Sequence, residues 1–184
     1  MPILGIWASQ ISGKLFAPSG AYDSIATTTV GSGGASSITF SSIPSTYTHL
    51  QIRYIARTNR SSTSDVLNIT INGSATTTGH YLYGTGTAAS AGVLNSFVGW
   101  GTANSTASNV FGTGVIDILD YANTNKNRVV RTLSGWDGNG DGEIAFSSIL
   151  QTSTSAVSSL TITPIIGPNF VQFSQFALFG IRGN

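Results

Sequence analysis

The chain has 184 residues, enough for one domain with a full hydrophobic core, and its net charge is +1. Apolar residues make up 40% of it, but charged residues only 8%, far below the ~25% of ordinary soluble proteins. The basic residues are dispersed, there is no cysteine, and no apolar run reaches ~18 residues, so we expect no nucleic-acid partner, no membrane partner and no disulfide or cysteine-based site.

The first twenty residues, MPILGIWASQISGKLFAPSG, differ from the rest and are predicted to be an N-terminal arm (1–20) before a single domain (21–184). Pro18 and Gly20 mark the boundary. The segment is either an edge strand of its own sheet or an arm that docks on a neighbouring subunit, and both readings stay open. Its strong hydrophobes do not alternate cleanly and are interface candidates: Ile3, Leu4, Ile6 and Trp7.

Helix periodicity is nearly absent from residues 21–184, whereas short β-branched or alternating segments recur there. In chain order they are SIATTTV, SSITF, HLQIRYIAR, VLNITIN, HYLY, NSFVGW, NVFGTGVIDILDY, NRVVRTLSGW, GEIAFSSIL, SLTITPII and FSQFALFGIRG. The glycine- and alanine-rich stretch GTGTAASAG is expected to be a weak connection. Turn signals every ~8–12 residues predict an all-β fold, a two-sheet antiparallel β-sandwich of jelly-roll type, because long connections suit Greek-key crossings.

HLQIRYIAR shows the alternation most clearly. Leu50, Ile52, Tyr54 and Ala56 are predicted to face one side of the sheet. Arg53 and Arg57 then share the opposite, polar face and are further interface candidates.

WDGNGDGEIAF is the most acidic stretch and a candidate calcium loop. Asp137, Asn139 and Asp141, followed by Gly142, match the early positions of an EF-hand loop. The twelfth position of such a loop needs a bidentate glutamate, but here it is Ser148. Asn and Asp beside Gly also favour hairpin turns, so we predict a turn and no cofactor.

The remaining titratable residues form no evident catalytic pattern. Asp117 and Asp120 are three apart on or just after a strand, which favours opposite faces. His49 and His80 each open a strand, and no G-x-S-x-G motif is present to position a nucleophile. Hence we expect a protein that is not an enzyme.

Four aromatic residues are candidates for a sugar-binding platform: Trp100, Trp136, Tyr81 and Tyr83. Aromatic residues in a β-sandwich also serve as core or interface anchors, which is the alternative for all four.

Three stretches carry a family resemblance: YDSIATTTVGSGGASSITFSSIPSTYTHLQIRYIAR, VIDILDYANTNKNRVVRTLSG and FSQFALFGIRG. They resemble small virion proteins of tailed bacteriophages, including cyanophages and other aquatic phages. Members look like capsid decoration (cement) proteins or tail-associated fibre proteins. The resemblance implies a jelly-roll homotrimer on the capsid exterior that binds the major capsid protein and stabilises the shell.

The alternative is a tail fibre or receptor-binding module that recognises host surface glycans. Residues 84–109, which begin with GTGTAASAG, would then supply the recognition loops. The chain starts with the sandwich and its short arm rather than a shaft, which favours decoration.

Overall fold

A computed structural model describes residues 21–75, 78–95 and 97–183, so the predicted arm with Ile3, Leu4, Ile6 and Trp7 lies outside the described residues. The described chain forms thirteen strands. They are β1 (Tyr22–Thr29), β2 (Ile38–Phe40), β3 (His49–Ala56), β4 (Ser64–Ile71), β5 (Ser74–Ala75), β6 (Thr78–Gly84), β7 (Ala89–Asn95), β8 (Phe97–Thr102), β9 (Gly112–Ile118), β10 (Arg128–Asp137), β11 (Gly142–Gln151), β12 (Leu160–Pro164) and β13 (Gln175–Ile181). Within these ranges the structure contains no helix that could cross a membrane.

The strands form two antiparallel sheets, which confirms the predicted all-β sandwich. The larger sheet has eight strands in the order β1-β13-β3-β9-β10-β11-β6-β7. The smaller has the order β2-β12-β4-β5, and β8 also pairs with β4. The jelly-roll connectivity is not confirmed, because a jelly roll has eight strands in two Greek keys, whereas here β9, β10 and β11 form a simple meander inside one large sheet.

The core lies between the sheets and follows the alternation read from the sequence. Leu50, Ile52, Tyr54 and Ala56 of β3 are buried, as are the alternate residues of β4. Most core-facing side chains of both sheets form one large cluster, and Val66, Phe97 and Ala145 form a second, smaller one. Strand alternation therefore fixes which face of each sheet is covered and which is exposed.

Strand β8 lies against the larger sheet and is tied to it by close backbone contacts. Gly99 has φ +122°, and a Cβ atom there would lie 2.5 Å from the Tyr54 hydroxyl oxygen, so only glycine fits. The Tyr54 hydroxyl donates to the carbonyl of Trp100 at 3.0 Å. Burial raises the pKa of Tyr54 well above its ordinary value, which keeps this donor protonated.

The expectation for GTGTAASAG is wrong in part. Its second half belongs to β7, which pairs with β6 along seven residues. Gly92 is needed there because a Cβ atom would lie 2.6 Å from the Tyr81 hydroxyl oxygen. Glycine and alanine give no hydrophobic alternation, so the strand is specified by packing against β6 rather than by local pattern.

Candidate interaction surface

The face of the larger sheet that points away from the core, here called the outer face, carries a continuous row of apolar side chains. Cross-strand pairs place its members directly opposite one another on neighbouring strands. The row runs from β7 to β9 through Ala91, Leu82, Phe146, Leu133 and Val115. Phe146 is 56% exposed, Leu82 52% and Leu133 44%. We call these five residues the apolar row.

A groove beside the apolar row adds to its apolar area. Gly135 lies on the outer face between Thr113 and Ile144, and its missing side chain leaves a depression. Leu133 and Val115 line the same groove. A Cβ atom at Gly135 would lie 2.8 Å from the carbonyl oxygen of Glu143, so the depression cannot be filled from within the chain.

The size of this region suits a protein interface. The apolar row crosses five strands at ~4.8 Å each, so it is roughly 24 Å long, and ~3.4 Å per residue makes the whole outer face of these strands about 700 Å², which also includes polar and charged positions such as Arg131, Asp117 and His80. A standard protein interface covers ~800 Å² on each partner. Large exposed apolar patches on soluble proteins mark interaction sites, so the outer face is the candidate functional surface.

Polar groups border the apolar row on the β3 side. The guanidinium of Arg53 lies 5.2 Å from the ring centroid of Tyr22, and its Nε donates to Oε1 of Gln51 at 2.8 Å. Nε2 of Gln51 donates in turn to Oδ1 of Asp117 at 2.8 Å. Asp117 is also the cross-strand neighbour of Arg131. A connected set of polar groups of this kind is typical of the rim of a protein interface. Polar groups at the rim determine how two partners align and which partner is bound.

Of the two arginine interface candidates, only Arg53 lies at this surface. Arg57 is four residues after Arg53, as expected for a residue of the same face, but it is only 8% exposed because the loop after β8 folds over it. Its guanidinium donates to the carbonyls of Ala107 (2.7 Å), Thr106 (2.9 Å) and Val110 (3.1 Å). The interface role expected of Arg57 is therefore corrected: it holds this loop inside the subunit.

The candidate calcium loop is a hairpin turn between β10 and β11. Asn139 has φ +61°, and its backbone N–H donates to Oδ1 of Asp137 at 2.8 Å. The N–H of Gly138 donates to the carbonyl of Asp141 at 2.7 Å. The predicted turn is confirmed, and Oδ1 of Asp137, a candidate calcium ligand, accepts a hydrogen bond within it. Among the described residues no group of three or more His, Asp or Glu side chains could hold a metal.

The four candidate sugar-binding aromatics do not form one platform. Tyr81 and Tyr83 point to the inner side of β6, where Phe97 and Trp100 pack on them, with ring centroids 5.4 Å apart for Tyr81 and Phe97 and 6.3 Å for Tyr83 and Trp100. These three candidates are packing residues. Trp136 stands apart, and its indole Nε1 donates to Oε2 of Glu143 at 3.2 Å.

The remaining carboxylates and histidines have separate local partners. Asp120 follows β9 and pairs with Lys126, whose hydrogen bond and charge lower the pKa of the carboxyl below its ordinary value. Nδ1 of His49 accepts from the backbone N–H of Asp120 at 3.0 Å. Asp117 and His80 lie on the outer face, apart from this pair. Nδ1 of His49 also lies 3.8 Å from Oδ1 of Asp120, so the Asp120 side chain is engaged with both His49 and Lys126.

Asp65, near the start of β4, connects distant segments. It is fully buried and accepts hydrogen bonds from the hydroxyl of Thr58 (2.9 Å) and the backbone N–H of Gly167 (2.8 Å). Arg60 lies 3.9 Å away. These contacts make Asp65 a structural residue of the loops at that end of the sandwich.

Comparison with known proteins finds no matching family model, no similar curated protein and no similar solved structure.

Sequence reasoning did not identify the apolar row. A signal was available in β10 and β11, where apolar residues occupy both parities, for example Val129 beside Val130 and Phe146 beside Ala145. Such a pattern indicates a strand with apolar groups on both faces. What could not be read is the register that brings Leu82 opposite Phe146.

Proposed function

We propose that this protein is a structural, non-enzymatic component of a tailed-bacteriophage virion. In this proposal it is a homotrimeric decoration protein that binds the major capsid protein on the outside of the shell and stabilises it. The observation that carries the proposal is the exposed apolar row on the outer face. A row of exposed apolar side chains bordered by polar and charged groups is suited to holding protein copies together.

Two further features support the proposal. The sequence resembles small virion proteins of tailed phages over the three stretches quoted above. The chain is also poor in charge, which suits a surface covered by neighbouring proteins better than one kept apart by electrostatic repulsion. Trimerisation multiplies individually weak contacts with the shell, so each subunit needs only modest affinity.

The first experiment tests self-association through the outer face. Phe146→Lys places a charge at the centre of the apolar row. An aromatic residue at the centre of an interface contributes ~2 kcal/mol or more to the free energy of association. Trimer association should therefore weaken by roughly thirtyfold. Light scattering coupled to size-exclusion chromatography measures the change in mass. The matched control is Thr39→Lys, an exposed position on β2 of the smaller sheet, and it should leave the trimer intact.

A trimer that survives Phe146→Lys, with circular dichroism unchanged, would remove the outer face as the interface. Location is tested separately by immunogold labelling or cryo-electron microscopy of virions. Density around the head shell is expected. Density at the tail alone would contradict the decoration role and favour the receptor-binding alternative.

One observation favours that alternative enough to test it. Trp136, Thr85, Asp137 and Glu143 line an open cleft between the β6–β7 and β10–β11 turns. An aromatic face beside hydroxyl and carboxylate acceptors is suited to a saccharide. Saturation-transfer NMR with host surface glycans should show binding that Trp136→Ala abolishes if the protein recognises them; unaltered spectra would exclude this role.

A further inference from the structure

The two free edges of the larger sheet differ in how they are protected. On β1 the register shifts between Ser24 and Ala26, and Asp23 forms an ion pair with Arg182 at 2.6 Å. Bulges and charges are the devices that keep an edge from pairing with another chain. Strand β1 therefore carries the usual safeguards.

Strand β7 carries none of them. Its sequence, ASAGVLN, has no charged residue and no proline. It pairs with β6 over seven consecutive residues without a register shift, so it is a regular strand. No other strand among the described residues pairs with its far side. An open, regular and uncharged edge is a template for an added strand.

We propose that β7 accepts the N-terminal segment, residues 1–20, of a neighbouring copy as a ninth strand of the larger sheet. This inference rests on the proposed homotrimer. It adds the donor segment, the acceptor strand and the direction of exchange.

The composition of the segment fits this role. Its only prolines are Pro2 and Pro18, so each of the fifteen residues between them has a backbone N–H that can donate to a neighbouring strand. Lys14 is its only charged side chain. Seven residues suffice to match β7. Apolar residues such as Ile6 would then extend the apolar row beyond Ala91, because the outward side chains of an added strand continue the same face.

The segment joins β1, the edge strand opposite β7, which is seven strand spacings or about 34 Å from β7 at ~4.8 Å each. Twenty extended residues are long enough to cross this distance, but about ten of them would be used in crossing, so we assign the donor to a neighbouring copy. A donor on one edge and an acceptor on the other form a head-to-tail contact, the class of contact from which a ring such as the proposed trimer is built. Pairing of β7 with β7 is two-fold and cannot generate that ring.

The natural chain has no cysteine, so engineered disulfides can test the pairing without background. One preparation carries Ile6→Cys or, for a second register, Leu4→Cys; the other carries Val93→Cys on β7. The two are mixed, unfolded, refolded together and oxidised. The expected product is a disulfide-linked heterodimer, severalfold more abundant than with the matched acceptor Thr27→Cys on the β1 edge.

Three results would overturn the inference. The first is that Ile6→Cys cross-links equally to Val93→Cys and to Thr27→Cys. The second is that two copies of Val93→Cys cross-link to each other. The third is that a chain carrying both Ile6→Cys and Val93→Cys cross-links only within itself. In each case light scattering still reports whether the protein is a trimer. Failure of strand exchange is thus distinguishable from failure of the proposed assembly.

Deletion of residues 1–20 gives an independent readout. The truncated protein should keep its β-sheet circular dichroism and lose trimer, and a synthetic peptide of residues 1–20 should bind it. Val93→Lys combined with Ala91→Lys should weaken that binding severalfold. A truncated protein that trimerises as well as the full chain would overturn the inference while leaving the outer-face interface in place.

Discussion

At the scale of single residues, two buried arginines hold the loops of the subunit. Arg128 is 2% exposed and donates to the carbonyls of Tyr121 (3.0 Å), Ser153 (2.8 Å) and Asn123 (2.7 Å), and a fourth bond goes to Thr154. Arg57 does the same for the loop after β8. Burial lowers the pKa of both guanidinium groups, but they start from so high a value that they stay charged.

Replacing Arg128 tests this role. Arg128→Met fills part of the space but leaves several buried carbonyls without donors, so the free energy of unfolding should fall by about 3 kcal/mol. Urea denaturation measures the loss. Lys126→Met, which removes an exposed cation two residues away, should change the free energy of unfolding far less, because an exposed ion pair contributes little to stability. Equal losses of unfolding free energy in the two variants would contradict the role of Arg128 in holding the loops.

Asp120 gives a pH-dependent prediction. Its pKa is lowered mainly by the hydrogen bond and charge of Lys126, and also by His49. A lowered pKa means that the contact stabilises the fold above the ordinary carboxyl pKa and is lost as the pH falls through the folded value. Carboxyl NMR should show Asp120 titrating below ordinary aspartates. Lys126→Met should raise its pKa towards the ordinary value, and Arg131→Met should leave it unchanged.

At the scale of elements, the turn between β10 and β11 joins the two strands that form the centre of the outer face. Asn139 occupies the left-handed region there, which asparagine and glycine tolerate and β-branched residues do not. The left-handed backbone thus explains why an asparagine occupies position 139 of this turn.

Asn139→Val should therefore destabilise the protein by ~1–2 kcal/mol, whereas Asn139→Gly should be neutral or slightly stabilising. Thermal unfolding compares the two variants. Asn125→Val, in an exposed turn without positive φ, is the control and should have little effect. A destabilised glycine variant would show that the Asn139 side chain matters more than its backbone.

The elements also show how far sequence reasoning reaches. The strands β3 and β4 were predictable because their apolar residues alternate and one face is fully covered. Strand β7 was not predictable, because its alanine and glycine residues show no strand pattern of their own. They form a strand by packing on β6, where Gly92 leaves room for the Tyr81 ring. Of the candidate surface, Arg53 was predictable from strand parity. The apolar row was not, because its members come from five strands and meet only through register.

At the scale of the whole molecule, stability and assembly should be linked. If copies join through the outer face, raising the protein concentration favours the folded trimer over unfolded chains by mass action. The thermal midpoint should therefore rise with concentration in the natural protein. The Phe146→Lys variant should lose this dependence and unfold at the same temperature at all concentrations, as calorimetry can measure. A midpoint independent of concentration in both would argue for a monomer.

The hydrogen bonds that Arg57 and Arg128 donate to the loops have a consequence for the pH range in which the subunit stays folded. Neither a guanidinium nor a main-chain carbonyl changes its protonation state over the ordinary range of pH. The loops are thus fastened by contacts that acid does not release, unlike the exposed pair of Asp120 and Lys126. The loops held by these two arginines should therefore keep their hydrogen bonds at a pH low enough to separate Asp120 from Lys126.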